Sequence, residues 1–152
     1  MTGEAFERTF YVGWSDVDMN GHLRNTAYID LAVDVRIAYF EANGFPAAEF
    51  HRRRFGPVLM KDEIEYRREL HLMEELRVDL KLAGVSSDVS RFKLRQDMFK
   101  SDGTLAARLF SIGGWMSLDS RKLIIPPEPI AAMWSSLMHT EDFEELPSSI
   151  KK

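Results

Sequence analysis

Between Thr26 and Asn43-Gly44 the chain has helical length and almost no wet surface. Tyr28, Ile29, Leu31, Ala32, Val33, Val35, Ile37, Ala38, Tyr39 and Phe40 are apolar or aromatic. Only Asp30, Asp34 and Glu41 mark a narrow acidic stripe. A helix that is apolar around most of its circumference has to be covered on most sides. Asn25 or Thr26 can cap its start, and Asn43-Gly44 can stop it. Arg36 falls well off the acidic stripe, so its guanidinium needs a buried or interfacial partner.

The remaining segments supply the cover. Phe6 to Trp14 is rich in aromatic and β-branched residues and reads as a strand. After Pro57 come four strand-like stretches, at roughly 57–69, 75–86, 90–100 and 104–118. In the second, Leu76, Val78, Leu80 and Leu82 alternate with Arg77, Asp79 and Lys81, the period of a half-buried strand. In the third, Phe92, Leu94 and Met98 share a face. Ser101-Asp102-Gly103 is a hairpin signal, and Gly113-Gly114 inside the fourth marks a bulge or a close backbone approach. Short connections predict an antiparallel meander. Pro126-Pro127 ends the sheet, a helix is predicted over 127–138, and the acidic tail 139–152 is predicted to be loosely held.

Without further crossover helices, a parallel α/β arrangement is excluded. The order predicts an α+β fold: one strongly curved antiparallel sheet around one long buried helix, in a single domain spanning 1–152. Such a sheet leaves an edge and an apolar face, so self-association is expected.

Composition narrows the function classes. The 152 residues are 45% hydrophobic and 29% charged, with no cysteine. Disulfides, thiolate metal sites and a cysteine nucleophile are excluded together. The net charge of −4 offers no basic surface for a nucleic-acid backbone. No apolar run approaches the roughly 20 residues of a membrane span. Met1 to Arg8 is polar, without a signal-peptide core, so the cytoplasm is the expected location.

The polar turn before the helix concentrates Asp16, Asp18, Asn20, His22 and Asn25 within ten residues. Singly, these are ordinary turn and cap residues. Together they precede a helix N-terminus, whose free N–H groups and positive dipole end suit a developing oxyanion. A carboxylate beside them can act as base or nucleophile, and a histidine and amides can orient it. That is a toolkit for acyl transfer. Asp16, Asp18 and His22 could also be imagined as metal ligands, a reading set aside here in favour of no metal.

The run from Trp14 to Tyr28 resembles the W-x-D-x-D-x-N-x-H-[VL]-x-N-x-x-Y signature of hotdog-fold thioesterases. It is similar to both the plant acyl-ACP thioesterases and the bacterial relatives of 4-hydroxybenzoyl-CoA thioesterases. The element order resembles that fold over roughly 6–126. The resemblance implies a homodimer or tetramer with its site at the dimer interface, and hydrolysis of acyl-CoA or acyl-ACP without a cofactor. It makes Asp18 the base or nucleophile, with Asn20 and His22 positioning the acid and water. The backbone N–H of Asn25 would meet the thioester oxygen. Gly21 would permit close approach of substrate, Tyr28 would contact it, and Asp16 would be structural.

Arg24 departs from the Asn of many relatives. It is either solvated, the favoured reading, or a contact for coenzyme A phosphates. The basic run Arg52-Arg53-Arg54 has the same two readings, a solvated loop or a landing site for phosphate or an acidic carrier, with Arg53 as its candidate. Arg67 and Arg68 are weaker candidates of that kind. Because the pattern has the Asn and His of the acyl-ACP branch, acyl chains are favoured over hydroxybenzoyl groups. A hotdog hydratase or dehydratase and a non-catalytic acyl-thioester binder remain as alternatives.

Overall fold

The computed structural model describes residues 5–151. In chain order the elements are β1 (Phe6–Tyr11), α1 (Asn25–Ala42), α2 (Ala47–Arg52), β2 (Phe55–Tyr66), β3 (Glu75–Ser86), β4 (Arg91–Lys100), β5 (Leu105–Ser117), α3 (Glu128–Ser136) and β6 (His139–Leu146). The strands form one sheet in the order β1-β3-β4-β5-β2, all antiparallel, with β6 pairing parallel to β3. This is an α+β architecture.

α1 ends as its sequence dictates. Gly44 takes φ +76, its N–H reaches Glu41 O, and the Phe45 N–H reaches Phe40 O at 2.9 Å. This is a Schellman stop, closed by packing of Phe45 and Phe40 on Phe50. The start differs from expectation. Asn25 is already helical, the cap is Arg24, and no side chain caps it.

The cover over α1 is incomplete. Ala27, Tyr28, Ala32, Val35, Arg36, Tyr39 and Phe40 are buried. Val33 is only half-buried and Ile37 is 50% exposed. The flank toward edge strand β2 is therefore open within one chain, although the sequence leads one to expect burial all round. Beside that opening, Phe92, Trp115 and Trp134 pack ring against ring with Phe40.

Three further expectations are corrected. The meander holds for β3, β4 and β5, but β2 lies beyond β5, because the connection after Tyr66 crosses the sheet end before β3 begins. That crossing is pinned by buried Leu70, whose carbonyl accepts the Leu23 N–H at 2.7 Å, and by the Arg67 and Arg68 N–H groups on Ala106 O. The run 52–54, expected as a loop, begins inside a short helix, α2, which ends at Arg52. The tail is not loose: β6 continues the β3 edge from Leu82, where β1 stops. Beyond it, Ser148 donates to Asp88 and the Ser149 N–H to Ser90 Oγ at 2.9 Å. Lys152 lies outside the described residues.

The polar face of β3 is drier than its alternation suggests. Asp79, Arg95 and Asp97 are buried. Asp97 accepts Arg108 Nε at 2.6 Å, Lys81 bridges to Asp79 at 3.0 Å, and Glu141 of β6 reaches Arg95 at 2.9 Å. The charges are buried as a network, the form in which burial is tolerated. Burial raises the Asp79 carboxyl above the ordinary range despite Lys81.

Candidate active site

The turn between β1 and α1 is closed by two backbone bonds, Asp18 N–H to His22 O at 2.9 Å and Gly21 N–H to Asp18 O at 3.1 Å. Gly21 supplies the left-handed φ of +77. A Cβ there would meet nothing within 4 Å, so the glycine serves the backbone bend. The turn fixes the Asp18 carboxylate. Its Oδ1 accepts the Asn20 N–H at 2.9 Å and the His22 N–H at 3.3 Å, and its Oδ2 lies 3.0 Å from His22 Nδ1. Both side chains stay about one-quarter exposed, at 27% and 28%. The carboxylate is thus held from three sides yet open to a small molecule.

Asp18 and His22 share a cleft of about 260 Å³ with Leu23, Asn25, Tyr28, Tyr66 and Glu69. Arg67 and Arg68 complete its lining. The uncapped start of α1 faces this cleft. Among the described residues the Asn25 N–H has no hydrogen-bond partner, while its carbonyl accepts the Tyr66 hydroxyl at 3.1 Å. A free amide at a positive helix end is a ready anion acceptor. Tyr28 stacks edge-on against Tyr66 at 5.1 Å. Burial, and then the neighbouring Tyr66, Asp18 and Glu74, push the Tyr28 phenol up to about 12. It therefore stays a neutral donor throughout the physiological range.

The structure brings four of the expected residues together: Asp18, His22, Asn25 and Tyr28. Asn20 contributes its backbone N–H, and its side chain is exposed. Arg24 is not solvated alone. It pairs with Asp16 at 3.1 Å and Asp30 at 3.7 Å and donates to Thr26, locking the turn to the helix; Asp16 is structural in that sense. Arg53 is not in the cleft. It holds Glu49 at 2.7 Å and lies over the Phe45 ring, and with Arg52 it pulls the Glu49 carboxyl down to about 2. Tyr66 and Glu69 were not foreseen. Tyr66 ends β2 and Glu69 lies in the crossing that follows, and no local pattern marks either as part of the site. Arg67 is tied to Glu65 at 3.2 Å, whereas Arg68 has no ion pair among the described residues.

Residues 12–134 match the thioesterase-like superfamily. Comparison with curated proteins finds no match. Among solved structures, the chain is similar to the hypothetical protein SAV2348 from Staphylococcus aureus, solved in complex with CoA. The TM-score is 0.82 at 22% identity, covering 92% of this chain and 89% of that one. It is also similar to Slr0204, a 1,4-dihydroxy-2-naphthoyl-CoA thioesterase from Synechocystis, with TM-score 0.77, 16% identity and 86% and 96% of the two chains covered. BH1999, a gentisyl-coenzyme A thioesterase, gives 0.74 at 15% identity, with 82% and 98% covered. At these identities the structural likeness is one of fold. The family match is independent of it and contains the Asp18 turn, α1 and strands β2 to β5. The chain belongs to the thioesterase-like superfamily.

Proposed function

We propose that this protein hydrolyses acyl thioesters, with Asp18 as base or nucleophile and the N-terminus of α1 as the oxyanion site. The observation that carries the reading is the meeting of two unlike groups in one cleft: a held, accessible carboxylate and an unpartnered helix-start amide at Asn25. The carbonyl oxygen of a bound thioester sits on the amide. Asp18 then either takes a proton from the attacking water and passes it to the leaving thiolate, or attacks the carbonyl carbon to expel the thiolate. That attack forms a mixed anhydride, which water opens to the free acid, its proton going to the thiolate. His22 and the Asn20 N–H orient the carboxylate, and the neutral Tyr28 hydroxyl supplies a second donor. Arg68, the cation at the cleft without an ion pair, receives a phosphate of coenzyme A.

Coenzyme A rather than an acyl carrier is favoured by that single, compact cation and by the solved relatives that hold or act on CoA compounds. The open flank of α1, with Ile37 and Leu59 exposed beside the unpaired edge of β2, supports a dimer through that edge. In this reading the sheet wraps α1 in the hotdog manner once two copies associate.

Release of thiol from a panel of acyl-CoA esters, aliphatic and aromatic, tests the activity with a colorimetric reagent. The chain has no cysteine, so it adds no background. Hydrolysis of at least one ester is expected. Hydration of an enoyl ester without thiol release, or tight binding with no turnover, would replace the reading.

A further inference from the structure

A second cavity, of about 250 Å³, lies along the open flank of α1. Val33, Phe40, Phe50, Leu94 and Trp134 form apolar walls, and Arg36 is the one charged residue lining it. Arg36 is only 7% exposed. Its Nε donates to Gln96 Oε1 at 2.7 Å and its Nη2 to Ser111 Oγ at 2.6 Å. Gln96 is itself tied to Ala32 O, and Ser111 donates onward to Asp62. The fork is therefore rigidly aimed. Among the described residues Nη1 has no hydrogen-bond partner, and no carboxylate lies within ion-pair distance of the guanidinium. Asp62 is joined to it by hydrogen bonds through Ser111, and its charge partly offsets the burial that lowers the guanidinium. Nη1 is not among the buried unpartnered side-chain atoms, so it stays accessible and free to donate to a group that enters the cavity.

The cavity is well placed for the proposed reaction. Arg36 lies about three helical turns, or about 16 Å, beyond Asn25 and on nearly the same face of α1. Strand β2 borders both spaces, with Tyr66 on the cleft and Pro57 and Leu59 on the cavity. In an antiparallel association of two copies through this edge, one protomer's cavity would lie beside the partner's cleft. An apolar cavity of about 150 Å³ takes a benzene ring, so the larger space here takes a fused-ring body or a medium alkyl chain.

Resting on the thioesterase reading, we propose that this cavity receives the acyl group and that Arg36 Nη1 binds an oxygen acceptor at its distal end. The selected substrates are acyl thioesters apolar through the body and polar at the tip. The sequence-based preference for acyl chains over hydroxybenzoyl groups is not kept in this proposal, which selects for the polar tip.

The test is a matched set of CoA esters with one apolar body and a methyl, hydroxyl or carboxylate tip. The polar-tipped esters are expected to exceed the methyl ester in kcat/KM by about tenfold or more, the scale of a hydrogen bond to a buried charge. In Arg36→Met that ratio collapses to about one. The hydroxyl and carboxylate arms tell a neutral acceptor from an anion. Val33→Phe, which fills the cavity and leaves the Arg36 contacts in place, should raise KM for all three esters. A parent that favours the methyl tip, a ratio unchanged in Arg36→Met, or an unaltered KM in Val33→Phe overturns the proposal. Calorimetric binding of the three free acids reads the cavity without turnover. An inert enzyme that still binds the polar-tipped acids more tightly would refute the thioesterase reading and uphold this one. Equal binding of the three acids would refute this one.

Discussion

Gly113→Ala puts the packing of the β2 edge to a quantitative test. Gly113 pairs with Leu59 across β2 and with Phe92 across β4. A Cβ added there would lie 2.6 Å from Val58 O and 2.8 Å from the Phe92 ring. Neither neighbour can give way easily. The oxygen is backbone in the β2–β5 ladder, next to the bulge between Leu59 and Lys61, and the ring is held between Trp115 and Trp134 at 5.4 Å from each. Overpacking of this kind costs about 1–3 kcal/mol, and contacts this short belong near the upper end. The reduced freedom of the unfolded chain returns about 0.4–1 kcal/mol. The net is about 2 kcal/mol, or a drop in Tm of about 4–8 °C for a chain of this size. Gly13→Ala is the control. Gly13 is extended, with φ −87 and ψ 161, and a Cβ there meets nothing within 4 Å. Only the unfolded-state gain remains, so Tm should rise by about 1–4 °C. Thermal melts followed by circular dichroism compare the pair. A Gly113→Ala protein as stable as the parent would refute the close approach and the account of the bulge.

Asp18→Asn keeps an oxygen for the Asn20 and His22 N–H groups but removes the charge, so it should fold normally while turnover falls by about 10²–10⁴. Near-parental thiol release would remove Asp18 from the chemistry. Arg68→Ala should raise KM for CoA esters while leaving kcat within about twofold; equal KM values would free the cleft mouth of any phosphate contact. Asp97→Ala takes the buried acceptor from Arg108 and leaves Lys81 with Asp79 and Arg95 with Glu141, at a cost of about 3 kcal/mol in urea unfolding; a loss under about 1 kcal/mol would contradict the network. At Asp88, burial pushes the carboxyl up, but hydrogen bonds from Ser148, Ser90 and Ser86 outweigh it and hold the group below the ordinary range. A depressed carboxylate stabilises above its ordinary value and loses that contribution as pH falls through the folded value. Asp88→Asn should therefore be less stable than the parent at pH 7, with the gap narrowing below about pH 4; a gap independent of pH would refute this.

Much of the site was legible in the chain. Asp18, Gly21 and His22 form one turn, and the geometry of a turn is local. Asn25 was legible as a helix start, although the cap turned out to be Arg24, because Arg24 is held by Asp16 and Asp30 and leaves the first amides free. Tyr66 and Glu69 were not legible, since they reach the cleft only because β2 pairs with β5 and its exit must cross back to β3. The carboxylate partners of Arg24 and Arg53, read as solvated or phosphate-binding, were not legible either, because Asp16, Asp30 and Glu49 meet them only in the fold.

By itself the sequence determined what depends on spacing along the chain. The apolar helix, its Asn-Gly stop, the alternation of β3, the Ser101-Asp102-Gly103 hairpin and the acidic turn before α1 all follow from periods of a few residues. Tertiary structure alone decided which strand lies beside which, because ladder hydrogen bonds are the same for every partner and carry no address. It placed β2 on the outer edge, drew the tail in as β6 along β3, and buried Asp79 in a charge network instead of leaving it in water. It also turned the solitary arginine of an apolar helix toward Gln96 and Ser111, in the wall of a cavity.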